Sequence, residues 1–276
     1  MFYVLLHIDL YRSPYSLSSA QPIKFIAMSL PRFYLPQLST TGMGCLDAAE
    51  SRHAHSVLRL KAGECLVLFD GCGQEGLGKI TAASKSKMEF EVLECKEVDH
   101  ELPHALTLAV ALPKGDRQKT LVDAATELGV TELVPLRSER SVAQPTEQAI
   151  ERHRRQVVEA CKQSGRNRLM RIVEPHSIQE LCAASQWPDA VRLVAHPYDD
   201  AMPRKSIATV LNGPRRPVMI AIGPEGGWTT EELQFLVDQG WQSVDLGRTI
   251  LRVEVATIAA IAQIAAWINQ IDPVTT

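Results

Sequence analysis

A chain of 276 residues is long enough for two compact domains of ~100–200 residues each, and with 45% hydrophobic residues it can bury a sizeable core, which excludes a wholly disordered protein. Lys and Arg number 29 against 32 Asp and Glu, a formal −3, which excludes a protein that coats nucleic acid through bulk charge. The charge is uneven, however: residues 137–171 hold nine Lys or Arg and four Glu, a local +5 that leaves −8 elsewhere.

The first 28 residues mix Ser, Pro and Tyr without a period, and the opening MFYVLLHIDLYRSP has no basic start and carries Asp9 inside its apolar stretch. It does not read as a signal peptide. Residues 1–28 are expected to be a weakly ordered extension, with Met28 and the following SLPRFYLP as a more natural beginning. Residues 29–101 carry strand signals at 64–70 (ECLVLFD), 76–84 (GLGKITAAS) and 88–98 (MEFEVLECKEV), with the turn Gly71-Cys72-Gly73 between the first two and one helix over 48–60. Phe90, Val92 and Cys95 alternate with Glu and Lys, as a half-solvated antiparallel sheet requires. This module is expected to be a small β-rich barrel. Pro103 and the change of pattern at Leu106 mark its end.

From 104 to 272 the pattern alternates. Apolar strands are expected at 106–112, 132–136, 171–174, 190–195, 217–223 and 243–247, and helices at 117–128, 147–164, 178–184, 230–239 and 253–270. Continuous apolar strands between helices imply a parallel sheet covered on both faces, so the fold class is α/β, with ligands at the carboxyl ends of the strands. The longest uncharged run, 255–271, is shorter than the ~20 residues that span a bilayer and is read as a buried helix, with no membrane association.

Six cysteines at 45, 65, 72, 95, 161 and 182 form no Cys-x-x-Cys pair and no repeating spacing, which argues against zinc or a disulfide framework and fits a cytoplasmic location. Cys161 reads as packing. His53 and His55 have a metal-like spacing only on a strand and lack Cys or acidic partners, so no metal site is expected.

The sharpest chemical feature is GPEGGWTTEE at 223–232, a glycine-rich turn between a buried strand and a helix. It has neither phosphate-cradle pattern, contains no lysine, and places Glu225 in the turn. Thr229 and Glu232 have capping-box spacing, so the helix serves its own N-terminal donors and an anionic phosphate is disfavoured. Gly226 is expected to keep space open for a ligand and to supply positive φ if the turn needs one. A second strand-to-helix loop, LGRTILRVEVA at 246–256, brings two arginines and a glutamate to the same edge.

Together these loops resemble the carboxyl-terminal signature of the SPOUT RNA methyltransferases, specifically the ribosomal RNA small-subunit methyltransferase E family. PRFYLP and HSVLRLKAGE resemble that family's N-terminal PUA-like module, PKGDRQKTLVDAATELGV and PLRSERSV its first strand-helix-strand, and EACKQSGRN its RNA-facing helix end. The resemblance implies a PUA-like β-barrel followed by a SPOUT parallel-sheet domain with a C-terminal trefoil knot, a homodimer, S-adenosylmethionine as cofactor, and methylation of uridine N3 in 16S ribosomal RNA of the small ribosomal subunit. It places the cofactor against His196, Gly223, Pro224, Glu225 and Gly226 on one side and Leu246, Gly247, Ile250, Leu251 and Arg252 on the other. Thr249, Val255 and Ala124 depart from the family's commoner Arg, Thr and Lys.

Arginine can hydrogen-bond a developing uracil oxyanion, which makes Arg252 the first catalytic candidate, with Arg140 and Arg166 also close to the target nucleotide. Glu254 either orients Arg252, takes the proton, or is only a helix N-terminal carboxylate. Arg152, Arg154, Arg155 and Arg168, within the +5 stretch, are the expected phosphate contacts. The rival reading is a catalytically silent RNA-binding or ribosome-assembly factor of the same fold.

Overall fold

The computed structural model describes residues 30–143, 145–184, 186–187, 189–197 and 205–270. The expected extension over 1–28 and the last residues of the expected second domain lie outside them.

The first sheet contains β1 (Arg32–Tyr34), β2 (Gly42–Cys45), β3 (Cys65–Phe69), β4 (Gln74–Ala83) and β5 (Met88–Glu97) in the order β1-β3-β4-β5-β2. Only β1 and β3 pair in parallel. In β5 the side chains of Met88, Phe90 and Val92 are buried while Glu91 faces out, as the alternation requires. The period then shifts because Leu77 pairs with Glu94 and Gly78 with Val92, so Leu93 is skipped as a bulge and stands exposed. At the expected turn, Gly71 and Gly73 take φ of +78° and +117°, and Asp70 Oδ1 accepts from the backbone of Cys72 and Gln74. Helix α1 (Ala48–Ser56) is capped by Asp47 and stops earlier than expected. His53 and His55 therefore lie on a helix rather than a strand, and the described residues contain no cluster fit for a metal.

The second sheet is parallel throughout. It contains β6 (Leu106–Val110), β7 (Glu132–Arg137), β8 (Arg171–Ile172), β9 (His176–Ser177), β10 (Val191–Ala195), β11 (Val218–Ile222) and β12 (Gln242–Val244) in the order β12-β10-β11-β6-β7-β8, with β9 also on β7. Helices α2 (Arg117–Glu127), α3 (Glu147–Ser164) and α7 (Val253–Ile268) cover one face, where Leu106, Leu108 and Val110 point. Helices α4 (Ile178–Ala183) and α6 (Thr230–Asp238) cover the other, packing on Ala109 and Ala111, while the short α5 (Ile207–Val210) adds to the first core through Ile207. Every residue of β6 and β11 is buried, which is why these strands read as unbroken apolar runs. Thr146 caps α3 at its start and Gly165 ends it with φ +78°.

The two sheets share one seam. Phe69 of β3 belongs to the core of the parallel sheet, with Tyr34 and Leu102 packed against it. Arg32 bonds both Glu75 and Asn167, and Asn167 Nδ2 donates to the Val98 carbonyl at 3.2 Å. The chain from Pro31 onward thus packs as one compact unit, although Pro103 does separate two differently patterned segments.

Candidate active site at the carboxyl edge of the parallel sheet

Strands β10, β11 and β12 end side by side, and the loops that leave them enclose a cleft of about 440 Å³. All ten residues expected against the cofactor line it: His196 after β10, Gly223 to Gly226 after β11, and Leu246, Gly247, Ile250, Leu251 and Arg252 before α7. Ile222, Val253 and Ala256 complete the apolar floor.

The 223–227 loop is held rigidly. The Trp228 indole is buried and donates from Nε1 to the Ala195 carbonyl at 3.0 Å, tying β11's exit to β10's. The ring fills the space behind Gly223, where a Cβ would come within 2.9 Å of it. The capping box forms as expected between Thr229 and Glu232, and the other Glu232 carboxylate oxygen accepts from the Glu139 backbone N–H. Positive φ belongs to Gly227 (+69°) and, in the facing loop, Gly247 (+133°), not to Gly226. A Cβ on Gly226 would press on the Arg140 side chain at 3.2 Å, so this glycine both lines the cleft and leaves room for Arg140.

Besides Glu225, three charged side chains lie in or next to the cleft wall, and of these only Arg252 lines it. Arg140 does not line the cleft; its Nη1 donates to the carbonyls of Gly226 and Trp228 at 3.1 and 3.3 Å, and its Nε and Nη2 make no hydrogen bond to a described residue. Arg252, the N-cap residue of α7, is exposed at the cleft wall and has no ion pair to a described residue. Glu254 is buried and does not line the cleft; its neighbour is Arg117, with Nη1 3.9 Å from its Oε2, and not Arg252. Arg117 was not singled out by sequence. The only sign of it was a cation in the first turn of a helix, where the macrodipole disfavours one.

Arg166 does not meet its expected place. It is buried, donates from Nε and Nη2 to Glu101 and from Nη1 to the Thr126 and Val130 carbonyls, and fastens the connection between the two sheets. The surrounding basic stretch is largely neutralised as well. Arg137, Arg154, Lys162, Arg166, Arg168 and Arg171 all pair with carboxylates, and most of these come from outside residues 137–171. Among the expected phosphate contacts, Arg154 pairs with Glu151 and Glu174 and Arg168 with Glu97. Arg152, exposed on α3, makes only a 3.1 Å bond to Gln118, and Arg155 is exposed without an ion pair to a described residue. Cys161 is fully buried, and burial pushes its thiol up to about 11, so packing is its role.

A parallel α/β sheet with a glycine-walled cleft at its carboxyl edge is joined to a small, mostly antiparallel module, and both segments match models of RNA methyltransferases. Residues 100–265 match the RNA methyltransferase domain model and residues 46–93 the RNA methyltransferase PUA domain model. The chain is 33% identical over 224 residues to ribosomal RNA small subunit methyltransferase E of Synechocystis, covering 81% of this chain and 73% of that protein. It is 30% identical to the protein of the same name from Bacillus subtilis, covering 83% and 90% of the two chains. The crystal structure of the Neisseria gonorrhoeae ribosomal RNA small subunit methyltransferase E bound to S-adenosyl methionine superposes with a TM-score of 0.78 at 33% identity, covering 86% of this chain and 97% of that one. The chain belongs to the ribosomal RNA small subunit methyltransferase E family.

Proposed function

We propose that the protein transfers a methyl group from S-adenosylmethionine to N3 of a uridine in 16S ribosomal RNA of the small subunit, near the 3′ end in the decoding region. The observation that carries this reading is the cleft, walled by the backbone of two glycine-bearing loops, with apolar side chains, one carboxylate and no lysine among its lining residues. Those residues fit the cofactor. Leu246, Leu251, Ile222 and Val253 offer apolar surface to an adenine, and the lining holds no lysine that would favour a phosphate. Bound there, S-adenosylmethionine supplies an electrophilic methyl on a cationic sulfur.

The chain's own work is on the uridine. The N3 proton must leave before or as the N3–methyl bond forms, and each unit by which the site lowers that pKa requires ~1.4 kcal/mol of preferential anion stabilisation. Arg252 is the group offered to the developing uracil oxyanion, with the Nε and Nη2 of Arg140 second. Arg166 takes no part in this step, because its guanidinium is committed to Glu101 and backbone carbonyls. Glu254 is buried away from the cleft lining, which supports a charge-balancing role over proton transfer.

The order β12-β10-β11, with the 246–252 and 223–227 loops lining one cleft, supports the trefoil knot expected at this edge, and the five-stranded module of 29–101 is taken to be a PUA-like barrel that binds RNA. Arg152 and Arg155 are the phosphate contacts of this proposal. The exposed Ile250 and Val255 beside the cleft support a homodimer, for which light scattering at micromolar concentration should give twice the 30.5 kDa chain mass. No helix among the described residues is long and apolar enough to cross a membrane, and the cytoplasmic location expected from the cysteines is retained.

The test is a methyl-transfer assay on small ribosomal subunits lacking the modification, with the methylated nucleotide mapped afterwards. Methylation at uridine N3 supports the reading. Cofactor binding without turnover would favour the silent assembly factor.

A further inference from the structure

We propose that Arg117 is a positioning residue of this site, a clamp that ties the 223–227 loop and the buried Glu254 to the start of α2. The inference rests on the methyltransferase reading and extends it to a residue outside the cleft lining.

Three elements meet at its guanidinium. Nη2 lies 2.9 Å from Glu225 Oε1 on one wall of the cleft, and Nη1 lies 3.9 Å from Glu254 Oε2. Glu254 follows Arg252 and Val253, which line the opposite wall. It is 7% exposed, and its Oε2 has no hydrogen-bond partner among the described residues. The 3.9 Å approach is too long for a hydrogen bond, so Arg117 acts on this oxygen through charge. A buried carboxylate without a cation is strongly unfavourable, and Arg117 is the one cation paired with Glu254 among the described residues.

The position of Arg117 in its own helix points the same way. It is the first residue of α2, where a cation opposes the macrodipole; no acidic residue lies in that first turn, and the N-cap Asp116 makes no side-chain cap bond. Local preference is therefore violated at this residue, as it is where a site has the prior claim. The planar guanidinium presents two separate nitrogens to two carboxylates, one on the 223–227 loop and one in the first turn of α7, which the point charge of lysine does not do.

Calorimetry of S-adenosylmethionine binding to the full chain tests the clamp, with thermal melting of each variant as the fold control. Arg117→Ala should weaken binding by about tenfold or more, and Arg117→Lys should recover only part of that loss. Glu225→Gln should weaken binding less than Arg117→Ala, and the double variant Arg117→Ala/Glu225→Gln should be no weaker than Arg117→Ala alone, because the two residues act as one unit. Binding by Arg117→Ala within twofold of the parent overturns the clamp, and so do losses that multiply in the double variant. If Arg117→Ala fails to fold, Arg117→Lys decides the matter, since parental affinity in that variant overturns the two-carboxylate role. A parent chain that binds no S-adenosylmethionine rejects the methyltransferase reading itself. A parent that binds normally beside an unaffected Arg117→Ala rejects only the clamp.

Discussion

Arg252 lines the cleft and Arg140 is bonded to the 223–228 segment beside it, while Arg152 and Arg155 stand on the exposed side of α3. Substitutions in the two groups should therefore fail differently. Arg252→Ala should lower the single-turnover methyl-transfer rate by on the order of 10² or more, the scale of a lost oxyanion donor, with RNA affinity nearly kept. Raising the pH should partly rescue this variant, because hydroxide then shares in ionising N3. A pH-independent defect would make Arg252 a positioning residue and leave anion stabilisation to Arg140. Replacing Arg152 or Arg155 by alanine should instead weaken RNA binding and reduce the salt dependence by about one unit of slope, with turnover at saturating RNA preserved. Retained slope in both variants would move the RNA path off α3. Arg166 and Arg252 cannot be told apart in the sequence, since both follow a helix or strand end near glycine. Only the tertiary partners of each, carboxylate and carbonyls for one and an open cleft for the other, separate them.

At the scale of elements, the glycines of the two cleft loops carry different constraints. Gly247 has φ +133° with open space around it, whereas Gly226 has ordinary φ and faces the Arg140 side chain. Gly247→Ala should therefore strain the backbone by ~1–3 kcal/mol and weaken cofactor binding. Gly226→Ala should displace Arg140 and reduce turnover more than cofactor affinity. Calorimetry beside single-turnover rates distinguishes the two, and equal affinity losses would contradict this assignment. Helix α3 adds a pH dependence. His153 is buried against α2, with Nε2 3.1 Å from Gln118 Oε1, and burial holds its pKa below the ordinary value of 6.5. The unfolded chain then binds the proton first on acidification. The stability His153 contributes is full above about pH 6.5 and falls as the pH drops below it toward the depressed folded value. Melting temperatures between pH 7 and pH 5 should fall less steeply in His153→Leu than in the parent, and parallel slopes would refute this. Elements with several turns or a full apolar run are legible in sequence: the end of α3 follows from Gly165, and β6 and β11 from unbroken apolar runs that burial on both faces requires. Strands β1, β2 and β9 and helix α5 are not, because two to four residues show no period.

For the whole molecule, the sequence marks a boundary at Pro103 where the structure builds a continuous seam. Composition shifts sharply between the modules, but the seam is made of long-range pairs that no local pattern carries: Arg32 with Asn167, Lys162 with Glu50, Arg166 with Glu101. Lys162 and Arg166, like Arg137, Arg154, Arg168 and Arg171, pair with carboxylates from outside residues 137–171, so the local +5 of the chain is not a +5 of the surface. A shared core around Phe69 makes independent melting of the two modules unfavourable. Arg166→Ala removes one partner of a buried pair and leaves Glu101 and the Val130 carbonyl without this donor, a change that typically costs ~3–5 kcal/mol. All four tryptophans, at 187, 228, 241 and 267, lie in the parallel-sheet segment, so their fluorescence reports that module alone. Hydrogen exchange of β3, β4 and β5 reports the other. In the parent chain the two probes should give one coincident denaturant transition. In Arg166→Ala both should move together to lower denaturant, with cofactor affinity retained in the folded fraction. Separate transitions in the parent would make the modules independent domains. A shift confined to the parallel sheet in the variant would mean that Arg166 stabilises that sheet alone and that the seam does not couple the first module to the parallel-sheet one.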